Sequence, residues 1–112
     1  RKRGAGELTW VRIKGFPWWP GMLVSPEEIP LDQKQAVMDA QRPGTRLVYC
    51  FGDHLFTWSG ESELKDFKQH QAEYTKKGGK GKLFQQALAE ALAEQASPGS
   101  QLDLIFPVDE FH

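Results

Sequence analysis

Short runs of alternating hydrophobic and polar residues fill the first two thirds of the chain and predict β-strands. The predicted strands cover residues 7–13, 21–24, 46–51, 54–58 and 64–67. Gly52-Asp53 is typical of a hairpin turn and joins the third predicted strand to the fourth. Five short strands in about 60 residues predict a small, bent sheet or barrel.

A helical pattern replaces this alternation near residue 81. Apolar residues recur at helical spacing, at Leu83, Phe84, Ala87, Leu88, Ala91 and Leu92. The opposite face carries Gln85, Gln86, Glu90 and Glu94. Residues 69–77 predict the start of another helix, interrupted at Gly78-Gly79. The chain is therefore predicted to be mainly β, with an amphipathic helix after the strands.

The polar segment between the second and third strands is a separate feature. Within residues 25–45, a short helix is predicted over 32–40, with Asp32 as its N-cap. Just before it, Pro17 and Pro20 stand three residues apart. Because proline cannot donate to a β-ladder, we expect their segment to lie at an edge, a bulge or a bend.

Composition and charge narrow the function classes. The chain has 112 residues, which fits one domain, and it is 39% hydrophobic and 26% charged. Its net charge of -1 argues against strong, purely electrostatic binding to nucleic acid, although local basic patches are compatible with it. We find no apolar run long enough for a membrane span and expect no membrane association.

The chemistry-bearing side chains show no catalytic or metal-binding pattern. Cys50 is the only cysteine, which excludes an internal disulfide and a multi-cysteine zinc site. His54, His70 and His112 lack metal-ligand spacing, and no cofactor fingerprint is present. We therefore expect no enzyme activity, no metal and no cofactor.

The segment Lys14-Gly15-Phe16-Pro17-Trp18-Trp19-Pro20-Gly21 is the most specific signal in the chain. Gly6-Glu7-Leu8-Thr9-Trp10 precedes it, and Phe51-Gly52-Asp53 follows about thirty residues later. Together with the amphipathic helix, these features resemble the PWWP domain, a Tudor-like chromatin-binding module. The resemblance covers roughly residues 6–95, with a five-stranded barrel over about 6–67, a helical part over about 68–95, and residues 96–112 as a linker or tail.

This resemblance implies a nuclear reader of methylated lysine in a histone tail, that of histone H3. We expect the isolated domain to be a monomer. A methylated ammonium group keeps its charge, so aromatic faces can hold it through cation–π attraction. By position, Phe16 and Trp19 correspond to two walls of the family's aromatic cage, and Asp53 to an acidic contact. We assign Trp10, Trp18 and Trp58 to structural roles.

Cys50 departs from the family pattern, which has an aromatic third wall at this position. Alternation places Tyr49 and Phe51 on the opposite face, so neither replaces the missing wall without a change of register. Losing one wall should cost about 1 kcal/mol of binding free energy. Three outcomes stay open: a weak cage of two aromatics plus Asp53, a cage closed by another residue such as Tyr74, or lost binding.

Two basic groups are candidates for contact with nucleosomal DNA. Lys76, Lys77, Lys80 and Lys82 lie on a glycine-rich stretch that opens the last helix. Arg12 and Lys14, with Arg1-Lys2-Arg3, form a second basic group near the motif. The stretch is not a P-loop, because no Ser or Thr follows its Gly-Lys. It is either a solvated loop or a phosphate contact. The resemblance favours Lys14, whose loop is expected beside the cage.

An alternative function is a protein-interaction or DNA-anchoring module with a degenerate cage, which Cys50 and the net charge of -1 favour. The insert over residues 26–44 is expected beside the cage rim, where it could set specificity. The acidic and apolar residues after position 101 are compatible with docking, partner binding or disorder.

Overall fold

The computed structural model describes residues 6–101. The basic residues 1–3 and the acidic, apolar segment from residue 102 onward lie outside this range. The strands are β1 (Leu8–Val11), β2 (Trp19–Leu23), β3 (Arg46–Cys50), β4 (Phe56–Ser59) and β5 (Leu64–Asp66). The helices are α1 (Leu31–Asp39), α2 (Phe67–Gly78) and α3 (Lys82–Ala96). Single 3-10 turns cover Pro26–Glu28 and Glu61–Glu63.

The five strands form one antiparallel sheet in the order β4-β3-β2-β1-β5. β1 pairs with β2 on one side and with β5 on the other, so the last strand lies beside the first. The sheet is a half-barrel followed by helices, which confirms the predicted fold class. Two consecutive helices, α2 and α3, follow β5. The sequence predicted α3 as an amphipathic helix and α2 only as the start of a helix over residues 69–77.

Pro20 lies within β2, the central strand, so the expectation of an edge, bulge or bend was wrong for this proline. The β2–β3 ladder ends at the pair Gly21 and Cys50, and Pro20 stands opposite Phe51, one position beyond it. Phe51 N–H donates to the Pro20 carbonyl over 3.1 Å. The missing proline donor therefore falls where the ladder ends, and no pair within the ladder is broken.

Trp10 of β1 lies at the centre of the packing between the sheet and α2. It is fully buried, and its ring stacks on Phe67 at a centroid separation of 4.9 Å and meets Tyr74 edge-on at 5.5 Å. The indole Nε1–H donates to the Phe67 carbonyl over 2.9 Å. The predicted structural role of Trp10 is therefore that of a core residue.

The N-terminus of α1 differs from the prediction. The helix begins at Leu31 with Pro30 in the cap position, and Asp32 lies in the first turn. Pro30 carries no N–H, and its φ is fixed near the value found here, -56°. The expected cap at Asp32 was wrong by two residues, although its carboxylate still lies at the positive end of the helix dipole.

Glu94 was expected on the polar face of the last helix and is instead buried, with 3% of its surface exposed. It follows Phe84, Ala87 and Ala91 at spacings of three and four, on the buried side of α3. Its two carboxylate oxygens accept the backbone N–H groups of Gly99, at 2.7 Å, and Gln101, at 2.9 Å. Glu94 thus ties the chain beyond α3 back to the helix.

Candidate functional site

Phe16 and Trp19 form a near-perpendicular aromatic pair at the start of β2. The loop before Phe16 turns through Gly15, whose φ is +86°, and the Phe16 N–H donates to the Ile13 carbonyl. The ring centroids are 5.8 Å apart, with an interplanar angle of 77°. Phe16 is 56% exposed and Trp19 only 5%, so one ring projects and the other is embedded. We call them the projecting wall and the embedded wall of the candidate cage.

The embedded wall is held on two sides. The Trp19 Nε1–H donates to the Phe51 carbonyl over 2.8 Å, a bond to the residue between Cys50 and Gly52. Phe84 of α3 meets the indole edge-on at 5.6 Å and 77°. The structure therefore brings the motif and the turn after β3 together, although more than thirty residues separate them in sequence.

Cys50 is 2% exposed and belongs to the same face of the sheet as Trp19. It stands opposite Gly21, and alternation along β2 puts Gly21 on the same face as Trp19. Burial, and then the negative charge of Asp53, raise the pKa of the Cys50 thiol to about 12. Cys50 is therefore a small neutral group at neutral pH.

The aromatic residues considered as substitutes for a third wall are engaged elsewhere. Tyr49 packs against Phe51, His54 and Phe56, on the side expected from alternation. The Tyr74 ring stacks on Trp18 at 5.1 Å and also contacts Trp10 and His70. These contacts favour a site of two aromatic walls.

Asp53 is exposed in the connection between β3 and β4, and its Oδ1 accepts the Leu55 N–H over 3.1 Å. This connection spans residues 51–55, so the predicted two-residue turn was too short. Two residues have positive φ, Gly52 at 86° and His54 at 62°. A Cβ on Gly52 would lie only 3.0 Å from that of Ala87 in α3, so the turn packs closely on the helix.

Glu90 of α3 fixes that turn, whereas the sequence pattern indicates only that it lies on the polar face of the helix. One carboxylate oxygen accepts the Gly52 N–H at 2.9 Å, and both oxygens lie 3.0 Å from His54 Nε2. Burial alone would raise the pKa of Glu90, but hydrogen bonds from Gly52, His54 and Gln86 together lower it. No local signal links a turn to a helix residue 36 positions away.

The basic candidates divide into two groups. Arg12, Lys14 and Lys77 line an open groove of about 410 Å³ that also includes Phe16 and Trp18. The Arg12 guanidinium lies 5.9 Å from the Trp18 ring centroid. Because Phe16 belongs to both features, the groove adjoins the aromatic pair.

Lys76, Lys80 and Lys82 are exposed around the α2–α3 connection and do not line that groove. Lys77 also bonds Glu73 one helical turn away, over 2.9 Å. The glycine-rich stretch is therefore built into the fold: it contains the end of α2, a short turn and the first residue of α3.

The insert, which is expected beside the cage rim, packs on β4. Trp58 Nε1–H donates to the Val37 carbonyl at 2.8 Å, and the Arg42 guanidinium donates to the Trp58 carbonyl at 2.7 Å. Trp58 pairs with Leu47, three residues before Cys50 along β3. The insert therefore packs against the outer strand, and these bonds are made at β4, two strands from the β2 strand that carries Trp19.

Residues 6–101 contain neither a cluster of His, Cys, Asp and Glu suited to a metal ion nor a helix long and apolar enough to cross a membrane. Within the same range, every buried side-chain nitrogen and oxygen has a hydrogen-bond partner.

Comparison with known proteins gives a consistent result. The family model of the PWWP domain matches residues 6–96. PWWP domain-containing protein 3 of Arabidopsis thaliana is 36% identical over 89 residues, covering 80% of this chain and 8% of that protein. The cytokine-like nuclear factor N-PAC of Drosophila pseudoobscura pseudoobscura is 36% identical over 84 residues, covering 75% of this chain and 13% of that protein. The chain thus spans a small part of these relatives.

Solved structures show the same fold. The second PWWP domain of the WHSC1L1 protein superposes with a TM-score of 0.62 at 23% identity, covering 97% of this chain and 94% of that one. A PWWP domain from Schizosaccharomyces pombe gives a TM-score of 0.62 at 18% identity, covering 83% and 87% of the two chains.

Proposed function

The chain belongs to the PWWP-domain family, which is generally associated with chromatin, and on this premise we propose that it is a reader module for a methylated histone lysine. The proposed ligand is a lysine of the histone H3 tail, and the proposed location is the nucleus. The near-perpendicular Phe16–Trp19 pair is the observation that carries this proposal. The module would act by binding, as a monomer without a cofactor, and we assign it no catalytic step.

The chemistry of the pair suits a methylated ammonium group. Such a group has lost hydrogen-bond donors but keeps its charge, and two aromatic faces at a steep angle can contact it on two sides. Each face contributes about 0.5 to 2 kcal/mol, depending on how fully water is excluded. Phe16 is exposed enough to be reached from solvent, and the exposed Asp53 carboxylate is the proposed acidic contact for the ligand.

Cys50 leaves the third side of this proposed cage without an aromatic face. The thiol is neutral and small, so it adds contact but little electrostatic attraction. Binding of an isolated peptide should therefore be weak, with a dissociation constant in the high micromolar to millimolar range by the usual free-energy relation. Simultaneous contact with DNA would raise the apparent affinity through effective concentration.

Nucleosomal DNA is the proposed second ligand. Arg12, Lys14 and Lys77 line a groove that adjoins Phe16, so one nucleosome could engage both surfaces. Lys76, Lys80 and Lys82 would extend the positive surface along the α2–α3 connection. Binding through a few phosphate contacts should weaken steeply as salt rises, with a slope of about -0.9 per phosphate contact in a log–log plot.

Two-dimensional NMR titration tests the reader function directly. Trimethylated H3-tail peptide should shift the Trp19 indole signal and the amides around Cys50 and Asp53, and unmethylated peptide should not. Phe16→Ala should reduce the affinity by about three- to tenfold. Leu31→Ala is the matched control, because Leu31 is an apolar residue that is 91% exposed on α1. Equal shifts from both peptides would refute selective recognition of the methylated lysine.

A degenerate cage is the second candidate, favoured by the buried cysteine where the family has an aromatic wall. In that case the module anchors to DNA or to a protein partner, and the methylated peptide leaves Trp19 unmoved. Cys50→Phe separates the two candidates once its fold has been verified by the same spectrum. Methyllysine binding gained by this variant and absent from the parent protein would show that the native cage has been lost.

A further inference from the structure

The Phe51 carbonyl lacks a partner that an ordinary strand residue would supply. Pro20 and Phe51 stand opposite each other, and the Phe51 N–H donates to the Pro20 carbonyl. In a hydrogen-bonded antiparallel pair, the two residues exchange two backbone bonds. The second bond would here run from the N–H of residue 20 to the carbonyl of residue 51. Proline has no N–H, so this second bond cannot form.

The side chain of Trp19, the residue before Pro20, donates to the Phe51 carbonyl in place of the missing backbone N–H. Trp19 Nε1–H donates to the Phe51 carbonyl over 2.8 Å, and this carbonyl also accepts the Asp53 N–H at 3.1 Å. A carbonyl oxygen has two lone pairs, and these two donors use both. A backbone N–H at position 20 would therefore compete with the indole for the same oxygen.

We infer that Pro20 is a positioning residue for Trp19: by withholding a backbone donor, it reserves the Phe51 carbonyl for the indole and fixes the plane of the embedded wall. The bond length and the register carry the structural part of this inference. Its consequence for ligand binding rests on the proposed function. The indole is 5% exposed, so the rest of its surface packs against protein, and the hydrogen bond selects one orientation within that packing.

Pro20→Ala tests the structural part without any ligand. The variant restores the donor, so the Trp19 indole proton should exchange with solvent at least tenfold faster and its resonance should move. Pro17→Ala is the matched control, since Pro17 lies in the exposed loop outside the ladder and should leave the indole signal unchanged. An unchanged indole signal in a folded Pro20→Ala variant would overturn the inference.

A double-mutant cycle on stability provides a second test that does not depend on the indole signal. Trp19→Phe keeps an aromatic ring but removes the donor to Phe51. In the Pro20→Ala background the new N–H should satisfy that carbonyl, so Trp19→Phe should perturb the unfolding equilibrium about fivefold less than in the parent. Additive effects would show that packing alone holds the ring.

Binding measurements on Pro20→Ala distinguish a failure of this inference from a failure of the proposed function on which it rests. Pro20→Ala should weaken binding of trimethylated H3-tail peptide several-fold and leave binding of a short DNA duplex unchanged. If the parent protein binds no methylated peptide, the proposed function fails, and the exchange and cycle results still decide the inference. If the parent binds and Pro20→Ala binds equally well with a released indole, the positioning role is refuted.

Discussion

Gly78, the last residue of α2, allows that helix to approach α3 closely. A Cβ at this position would overlap three carbons of the Phe84 ring, Cζ, Cε1 and Cε2. Phe84 is 3% exposed and packs edge-on against Trp19, so it has little room to yield. Gly78→Ala is therefore expected to disturb both the stability of the domain and the embedded wall of the candidate cage.

The size of the effect follows from two opposing terms. Restoring van der Waals contact requires the ring to withdraw by more than about 1 Å, and overpacking of this kind costs about 1–3 kcal/mol. Alanine in a helix offsets up to about 1 kcal/mol of that cost relative to glycine. The net loss of stability should be about 1–2 kcal/mol, which lowers Tm by roughly 5–15 °C for a domain of this size.

Thermal unfolding and the tryptophan indole region of an NMR spectrum measure the two effects. Gly81→Ala is the matched control, since it lies in the same connection and a Cβ there meets no atom within 4 Å. It should change stability by less than about 1 kcal/mol, as expected for a modest loss of capping preference. The Trp19 indole resonance should move in Gly78→Ala and not in Gly81→Ala.

A second substitution identifies the contact responsible. Phe84→Leu removes the ring carbons that the new Cβ would overlap, so Gly78→Ala should cost little in that background. A Gly78→Ala variant as stable as the parent, with its Trp19 resonance unmoved, would refute the close approach. An equal cost in both backgrounds would show that the strain does not come from the Phe84 ring.

Three further predictions concern the polar groups around the sheet. Burial raises the pKa of the Cys50 thiol to about 12, so at pH 8 it should react with an alkylating reagent only as fast as the domain opens. Denaturant should restore the reaction rate of a free thiol. Rapid labelling of the native protein would contradict its burial. Because the pKa of Glu90 is lowered in the folded state, its contribution is present above the ordinary glutamate pKa and is lost as pH falls through the folded value. Glu90→Gln should therefore reduce the acid sensitivity of unfolding by urea and destabilise the protein at pH 7 by about 1 kcal/mol; an unchanged pH profile would contradict this. Glu94→Ala leaves the Gly99 and Gln101 N–H groups without their acceptor and should lower the free energy of unfolding by about 1–3 kcal/mol. Amide exchange should become faster at those two residues in particular. Unaltered exchange there would argue against the contact.

The sheet could be predicted because its signals are local. Alternation within four to seven residues located all five strands, and the motif around Trp19 identified the family. The position of each strand within the sheet could not be predicted from such local signals. Pro20 is tolerated in a central strand because of where the β2–β3 ladder ends, and that end point depends on pairing with residues thirty positions away.

The helices show the same division between local and long-range information. Periodicity gave the apolar stripe of α3, but Glu94 continues that stripe as a buried carboxylate because it has backbone partners beyond the helix end. The glycine-rich stretch indicated flexibility by composition, whereas Gly78 serves close packing against Phe84. For the candidate site, the residues of the aromatic pair followed from the resemblance. The contacts of Trp19 with the Phe51 carbonyl and Phe84, and that of Glu90 with the turn at Gly52, required the fold.

The contact between Arg42 and β4 has a consequence for the protein in concentrated solution. An outer strand presents unpaired backbone groups on which another copy can add a strand, a common start of aggregation. The Trp58 carbonyl faces outward from β4, and the Arg42 guanidinium covers it while the insert lies alongside. The insert thus blocks intermolecular strand addition at this edge. Loss of the guanidinium in Arg42→Met should lower solubility more than it lowers the thermal stability of the monomer.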